Sequence, residues 1–235
     1  MVHLLIFIGG GSGGYLLIII IGIIGWIVQN RLKSKFEHYG KIRLKKGYTG
    51  AEVARMMLED NGITDVKVIS TPGYLTDHYH PIKKTVNLSE PVYNSNSVAA
   101  VAVAAHECGH AVQHARAYPW LKLRSALVPV VQFSSSMVTW ILIAGILLIK
   151  SFPQLLLIGI ILFAATTLFS FITLPVEYDA SARAKKWLVE KGIVDEEERK
   201  GVTDALKWAA RTYVVAALSS LATLLYYLQI YNNRR

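Results

Sequence analysis

Two histidines four residues apart, with a glutamate beside the first, stand at His106, Glu107 and His110 within AVAVAAHECGHAVQH, residues 100–114. On a helix, residues i and i+4 share one face a turn apart. Both imidazoles can therefore reach a single metal ion at about 2.0–2.1 Å. Residue i+1 lies about 100° round the helix, so Glu107 falls beside such an ion rather than on it. There it can take a proton from water that the metal has acidified. Zinc brings the pKa of such water to near 7, so an ordinary carboxylate is base enough. This is the mechanical sense of the H-E-x-x-H pattern of zinc hydrolases. The pattern is short enough to arise by chance, and its setting adds weight. The three residues interrupt an otherwise apolar run, where burying them without partners would be costly. A metal ion supplies the partner.

Two neighbours are weaker candidates. His114 lies two helical turns beyond His106, about 12 Å in rise, too far to share its ion, so a surface or supporting role is expected. Cys108 points about 200° away from His106 and reads as packed core. It is the single cysteine, so no intrachain disulfide forms and no cysteine-based zinc site can be built.

The third ligand must come from another segment, and the elements that carry the site restrict the choice. The chain has 235 residues, 53% of them hydrophobic, with a mean hydropathy of +0.37. Four uncharged stretches, 4–28, 125–149, 154–174 and 212–231, are each long enough to cross a hydrocarbon layer about 30 Å thick. They are apolar all round, unlike one-faced soluble helices. The first three are expected to span. The fourth spans or lies against the membrane. The first lacks the leading positive charge and the small-x-small cleavage site of a secretory signal. Its GGGSGG run, Gly9 to Gly14, reads either as a close helix–helix approach or as a loose turn.

Net charge is +9. Segment 31–124 has 14 Lys/Arg against 8 Asp/Glu, and segment 175–211 has 8 of each. Arg31, Lys33, Lys35 and the run Lys41 to Lys46 follow the first span. That placement favours a cytoplasmic side and contact with anionic lipid, and no nucleic-acid motif accompanies it. Residues 150–153 join the second and third spans as a tight hairpin, so segments 31–124 and 175–211 fall on one side. The third ligand is then expected just after span three, in LPVEYDAS, residues 174–181. Glu177 is the first choice and Asp179 the alternative. A His2Glu set leaves one position open for water, as catalytic zinc sites do.

Within the polar segments, Thr49 and Glu52 have the form of a capping box, with a helix to about Asn61 and Gly62 as its stop. Strands are expected near 66–69 and 85–88, with a loop over 75–81. The site helix should run from about Val98 to His114 after the caps at 95–97. Its apolar run is too short to span. A further helix is expected to start after Pro175, reach about Glu190 and stop at Gly192. Another begins at the acidic residues 195–198. The expected fold is a mainly α membrane protein with a small α+β, zincin-like catalytic domain, short strands and three to four transmembrane helices.

Several stretches together resemble the membrane-bound neutral zinc metallopeptidases of bacteria, the YugP-like group of gluzincin type. They are TGAEVAR (49–55), GYLTDHYHP (73–81), VAAHECGHAVQHA (103–115), LRSALVPV (123–130), LPVEYDASARA (174–184) and EEERKGV (196–202). The resemblance implies zinc as the cofactor, His106, His110 and Glu177 as its ligands, and Glu107 as the catalytic base. It also implies that the strand region near 73–89 pairs with a peptide substrate, with His78 or Tyr79 steadying the oxyanion. The family more often has DHYD where this chain has Asp77-His78-Tyr79-His80, and an aliphatic residue where Cys108 stands. More distant gluzincins place an aspartate four residues after the ligand glutamate. Here that position is Ser181, with Asp179 at two, so either is a candidate to support a ligand histidine.

These features converge on a zinc-dependent metalloendopeptidase in the bacterial inner membrane. Its catalytic domain would be cytoplasmic, and its substrates would be proteins or peptides, membrane proteins among them. The alternative is a non-catalytic membrane scaffold that uses zinc for folding or partner binding, which would favour a closed, four-ligand shell.

Overall fold

The computed structural model describes residues 13–233. The start of the first apolar stretch, most of the GGGSGG run and the terminal Arg234 and Arg235 lie outside the described residues. In chain order the elements are α1 (Gly13–Gly40), α2 (Gly50–Asp60), β1 (Lys67–Thr71), β2 (His78–His80), β3 (Thr85–Ser89), α3 (Glu90–Tyr93), α4 (Val98–Ala115), α5 (Pro119–Leu147), α6 (Pro153–Glu190) and α7 (Glu196–Asn232). The fold is a mainly α membrane protein with a small α+β part. Among the described residues, four helices, α1, α5, α6 and α7, are long and apolar enough to cross a membrane.

The chain forms two compact units. One comprises the described parts of Met1–Val28, Leu123–Leu174 and Thr212–Arg235. Its core is Val138, Leu142, Leu156 and Ile160, joined by Phe163, Leu224 and Tyr227. A Cβ on Gly145 would lie 2.6 Å from the Leu156 backbone; only glycine allows α5 and α6 to pass this closely. Thr167 and Ser220 hydroxyls hydrogen-bond at 2.7 Å. Trp26, Phe133, Trp140 and Ile161 stand exposed on the helices, as lipid-facing residues do.

The second unit comprises Gln29–Lys122 and Pro175–Arg211. Its centre is α4, in which 15 of 18 residues are buried. Around it pack Val53, Ala54, Met57 and Leu58 of α2, Val86 and Leu88 of β3, and Ala184, Trp187, Leu188, Val202 and Leu206 of α6 and α7. The sheet order is β1-β3-β2. β1 runs parallel to β3 with Val68 opposite Val86, and β2 antiparallel with Tyr79 opposite Val86.

Local sequence explains the boundaries. Thr49 and Glu52 form a reciprocal capping box at α2, which satisfies two otherwise unpaired N–H groups. Ser97 caps α4 through the Ala100 N–H. Asp195 accepts from the N–H groups of Glu197 and Glu198, and Glu198 accepts from the Asp195 N–H, opening α7. Two boundaries differ from the sequence expectation. Residues 78–80, expected in a loop, form β2. Pro175, expected to restart a helix, lies inside the continuous α6. Proline removes one ladder bond from a helix interior, and the remaining bonds carry the helix through.

Candidate metal centre

The α4 helix presents three working faces. His106, His110 and Gln113 lie along one, spaced i, i+4, i+7 and turned toward α6. Glu107 and His114 lie along a second, turned toward β2. Cys108 lies on a third, where its Sγ contacts the Ala54 carbonyl of α2 at 3.4 Å. Burial pushes the Cys108 thiol well up from its usual value, so it is an inert core group.

On the α6 side, a ligand atom from each of His106, His110 and Glu177 lies within 4.8 Å of the others. Glu177 Oε2 is 3.3 Å from His106 Nε2 and 3.6 Å from His110 Nε2. Two ligand atoms about 2.0–2.1 Å from one tetrahedral zinc would be roughly 3.4 Å apart. Among the described residues, no other group of three His, Cys, Asp or Glu side chains meets in this way. All three side chains are at most 14% exposed.

Close approach of α4 and α6 makes the meeting geometrically possible. Gly109 lies between Glu107 and His110, and a Cβ there would stand 2.6 Å from the Ala180 carbonyl oxygen. No side chain fits at that contact.

The hydrogen bonds around the cluster fix what its nitrogen atoms can do. The Gln113 amide is fully buried. Its Nε2 donates to the Val176 carbonyl at 2.7 Å and to Asp179 Oδ2 at 2.8 Å. Its Oε1 therefore faces His110 Nδ1, at 3.0 Å. A carbonyl oxygen only accepts, so His110 carries a proton on Nδ1, which leaves Nε2, the nitrogen facing Glu177, as the one that can bind a metal. The Ser181 hydroxyl lies 3.1 Å from His106 Nδ1. Metal-ligating histidines typically have such partners on the far nitrogen. Burial opposes charge on Glu177, yet the two imidazoles hold its carboxyl well below the usual range. Burial would lower His110, but the adjacent Glu177 raises it. Two imidazole nitrogens and a carboxylate oxygen converging out of water form a ligand set suited to a divalent cation, so the residues present fit zinc.

Glu107 stands outside this trio. It is buried, at 8% exposure, and its Oε2 accepts the Tyr79 N–H of β2 at 3.0 Å. The Tyr79 hydroxyl reaches His114 Nδ1 at 2.7 Å, so one β2 residue ties down both Glu107 and His114. His78 is exposed, with Nδ1 2.8 Å from the Thr76 carbonyl. Asp179 lies on Gln113 and forms an ion pair with Arg183. Sequence reasoning named His78, Tyr79, Glu107, His114 and Asp179 among these residues and did not name Gln113. Gln113 shares the His110 face, three residues on, but an amide there has no sequence signature that would have marked it.

A match to the family described as "Putative neutral zinc metallopeptidase" covers residues 14–232. The chain is 46% identical over 221 residues to the protein named "Putative membrane protease YugP" of Bacillus subtilis (strain 168). That alignment covers 94% of this chain and 97% of the relative. No solved structure matches the chain significantly.

Proposed function

We propose that this chain, which belongs to the neutral zinc metallopeptidase family, is a membrane-anchored metalloendopeptidase in which His106, His110 and Glu177 hold zinc and Glu107 is the catalytic base. The observation that carries the reading is the convergence of the three ligand atoms, with Glu107 held separately beside them. Bound zinc would supply Lewis acidity, polarising a peptide carbonyl and making water acidic enough to lose a proton near neutral pH.

The chain's own residues divide the remaining work. Gln113 and Ser181 hold the two imidazoles in orientation. The Tyr79 N–H fixes the Glu107 carboxylate, which takes a proton from water and returns it to the departing amine. β2 is an edge strand, and apart from the Tyr79 N–H given to Glu107 its outer edge can pair with the backbone of an extended peptide. The Tyr79 hydroxyl is already engaged with His114. His78 is likewise engaged, with its Nδ1 on the Thr76 carbonyl, so either side chain would have to leave its present partner to donate to a developing oxyanion.

The basic segment after the first span favours a cytoplasmic catalytic unit in the bacterial inner membrane, with peptides and membrane proteins as substrates. Hydrolysis of casein by the purified, zinc-loaded protein tests the reading. Glu107→Gln should keep its zinc and lose at least about a hundredfold in rate. Equal rates in the two proteins would leave the non-catalytic zinc scaffold as the surviving account.

A further inference from the structure

The face of α4 that carries Glu107 continues toward the helix N-terminus through Val103 and Ala100. By helical rotation, Val103 projects between the His110 and Glu107 directions, and it lies about 6 Å below Glu107 in rise. There it lines a cleft of about 550 Å³, within the size range of clefts that bind small ligands.

The walls come from four separate parts of the second unit. Ala100 and Val103 form the α4 side, Phe36 comes from the end of α1, Pro91 from α3, and Tyr74 and Leu75 from the loop before β2. Asp77, which also lines the cleft, gives both carboxylate oxygens to Ser89, accepting the Ser89 N–H at 2.7 Å and its hydroxyl at 3.0 Å. This acid is occupied in holding the loop to β3. The other charged groups in the lining are Glu37 and Lys41, of opposite sign. Leu75 is held at φ 59°, an uncommon conformation for a branched side chain, with 47% of its surface exposed at the rim.

We infer that this cleft receives a large, uncharged apolar side chain of the substrate, on a residue flanking the scissile bond. The inference rests on the peptidase reading and names its substrate class. Three observations converge on it. The cleft shares a helix face with Glu107. It adjoins the first residue of β2, the strand that would bind the peptide backbone. Its lining is mainly apolar, and of its three charged groups Asp77 is engaged by Ser89 while Glu37 and Lys41 are of opposite sign.

Cleavage of an unbiased peptide mixture by the zinc-loaded full-length protein, read by mass spectrometry, tests it. Wild type should cut beside Leu, Phe, Met or Tyr. Ala100→Leu fills the cleft and should shift the ratio of kcat/KM toward Ala, Ser and Gly at that position by at least about tenfold. Leu75→Asp changes only an exposed rim residue and should raise cleavage beside Lys and Arg. A second measurement does not need turnover. The zinc-loaded Glu107→Gln protein should bind a Phe-containing peptide at least about tenfold more tightly than its Ser counterpart, and Ala100→Leu in that background should erase the difference. Identical preferences in wild type and both variants, or equal binding of the two peptides, would overturn the pocket assignment. If that happened while Glu107→Gln still abolished cleavage, the peptidase reading would stand alone. Persistent cleavage by Glu107→Gln would instead remove the reading on which the pocket depends.

Discussion

Gln113 works at the smallest scale, where one amide determines what an imidazole can bind. Its two donated bonds leave only its oxygen for His110 Nδ1, so the other ring nitrogen is free for a metal. Gln113→Leu should therefore weaken zinc binding about 10- to 100-fold, measured by competition with a chromophoric chelator. Unchanged affinity would mean that His110 is oriented by packing alone. The three residues that converge were legible in the sequence, the two histidines because helical spacing is a fixed geometry. His106 and His110 must share a face, and a carboxylate following the third apolar stretch is the natural complement. Gln113 was harder to see. A buried amide has no characteristic spacing, and its role depends on Val176 and Asp179, which lie more than sixty residues away. Ser181 could be named as a position but not paired with a particular histidine.

At the scale of elements, the site depends on how closely α4 and α6 approach. Gly109→Ala would place a methyl group 2.6 Å from the Ala180 carbonyl oxygen, and relief requires the helices to separate. Overpacking of this kind costs about 1–3 kcal/mol. The expected outcome is a lower unfolding temperature together with a loss of zinc affinity. A variant with normal affinity would show that α6 adjusts without moving Glu177. A second contact joins the end of α2 to α6. Asp60 accepts from Trp187 Nε1 at 2.9 Å and pairs with Lys191 at 2.9 Å. The hydrogen bond from Lys191 is the main cause that holds its carboxyl below the usual range. A carboxyl depressed by folding stabilises fully above its unfolded pKa of about 4, and that contribution is lost as pH falls through the folded value. Denaturation measured from pH 6 down to pH 3 should therefore show wild type losing more stability than Asp60→Asn. Parallel losses would assign acid sensitivity to other groups. The elements were only partly readable in advance. Caps at Thr49, Ser97 and Asp195 announce their helices locally. β2 has no such signal, because three residues reading His-Tyr-His become a strand only through pairing with β3 and the bond from Tyr79 to Glu107. Pro175 suggested a break because the helix that continues through it cannot be read from the proline alone.

For the whole molecule, the apolar stretches were the clearest part of the sequence, because crossing a bilayer demands length and uniform hydropathy. The proposed side of the membrane for the unit that carries the metal centre rests on charge distribution. That orientation can be tested cleanly because the native Cys108 is fully buried and unreactive. A cysteine placed at the exposed Lys186 should react with an impermeant maleimide in inside-out vesicles and stay unlabelled in intact cells. The reverse pattern would put that unit outside. The account as a whole rests on the metal shell, and the most direct measurement is the coordination of the zinc-loaded protein, solved in detergent or lipid. It should show one zinc on His106, His110 and Glu177, with the remaining position open to water and Glu107 beside it but not bound. Four protein ligands closing the shell, or a zinc that leaves Glu177 uncoordinated, would contradict it.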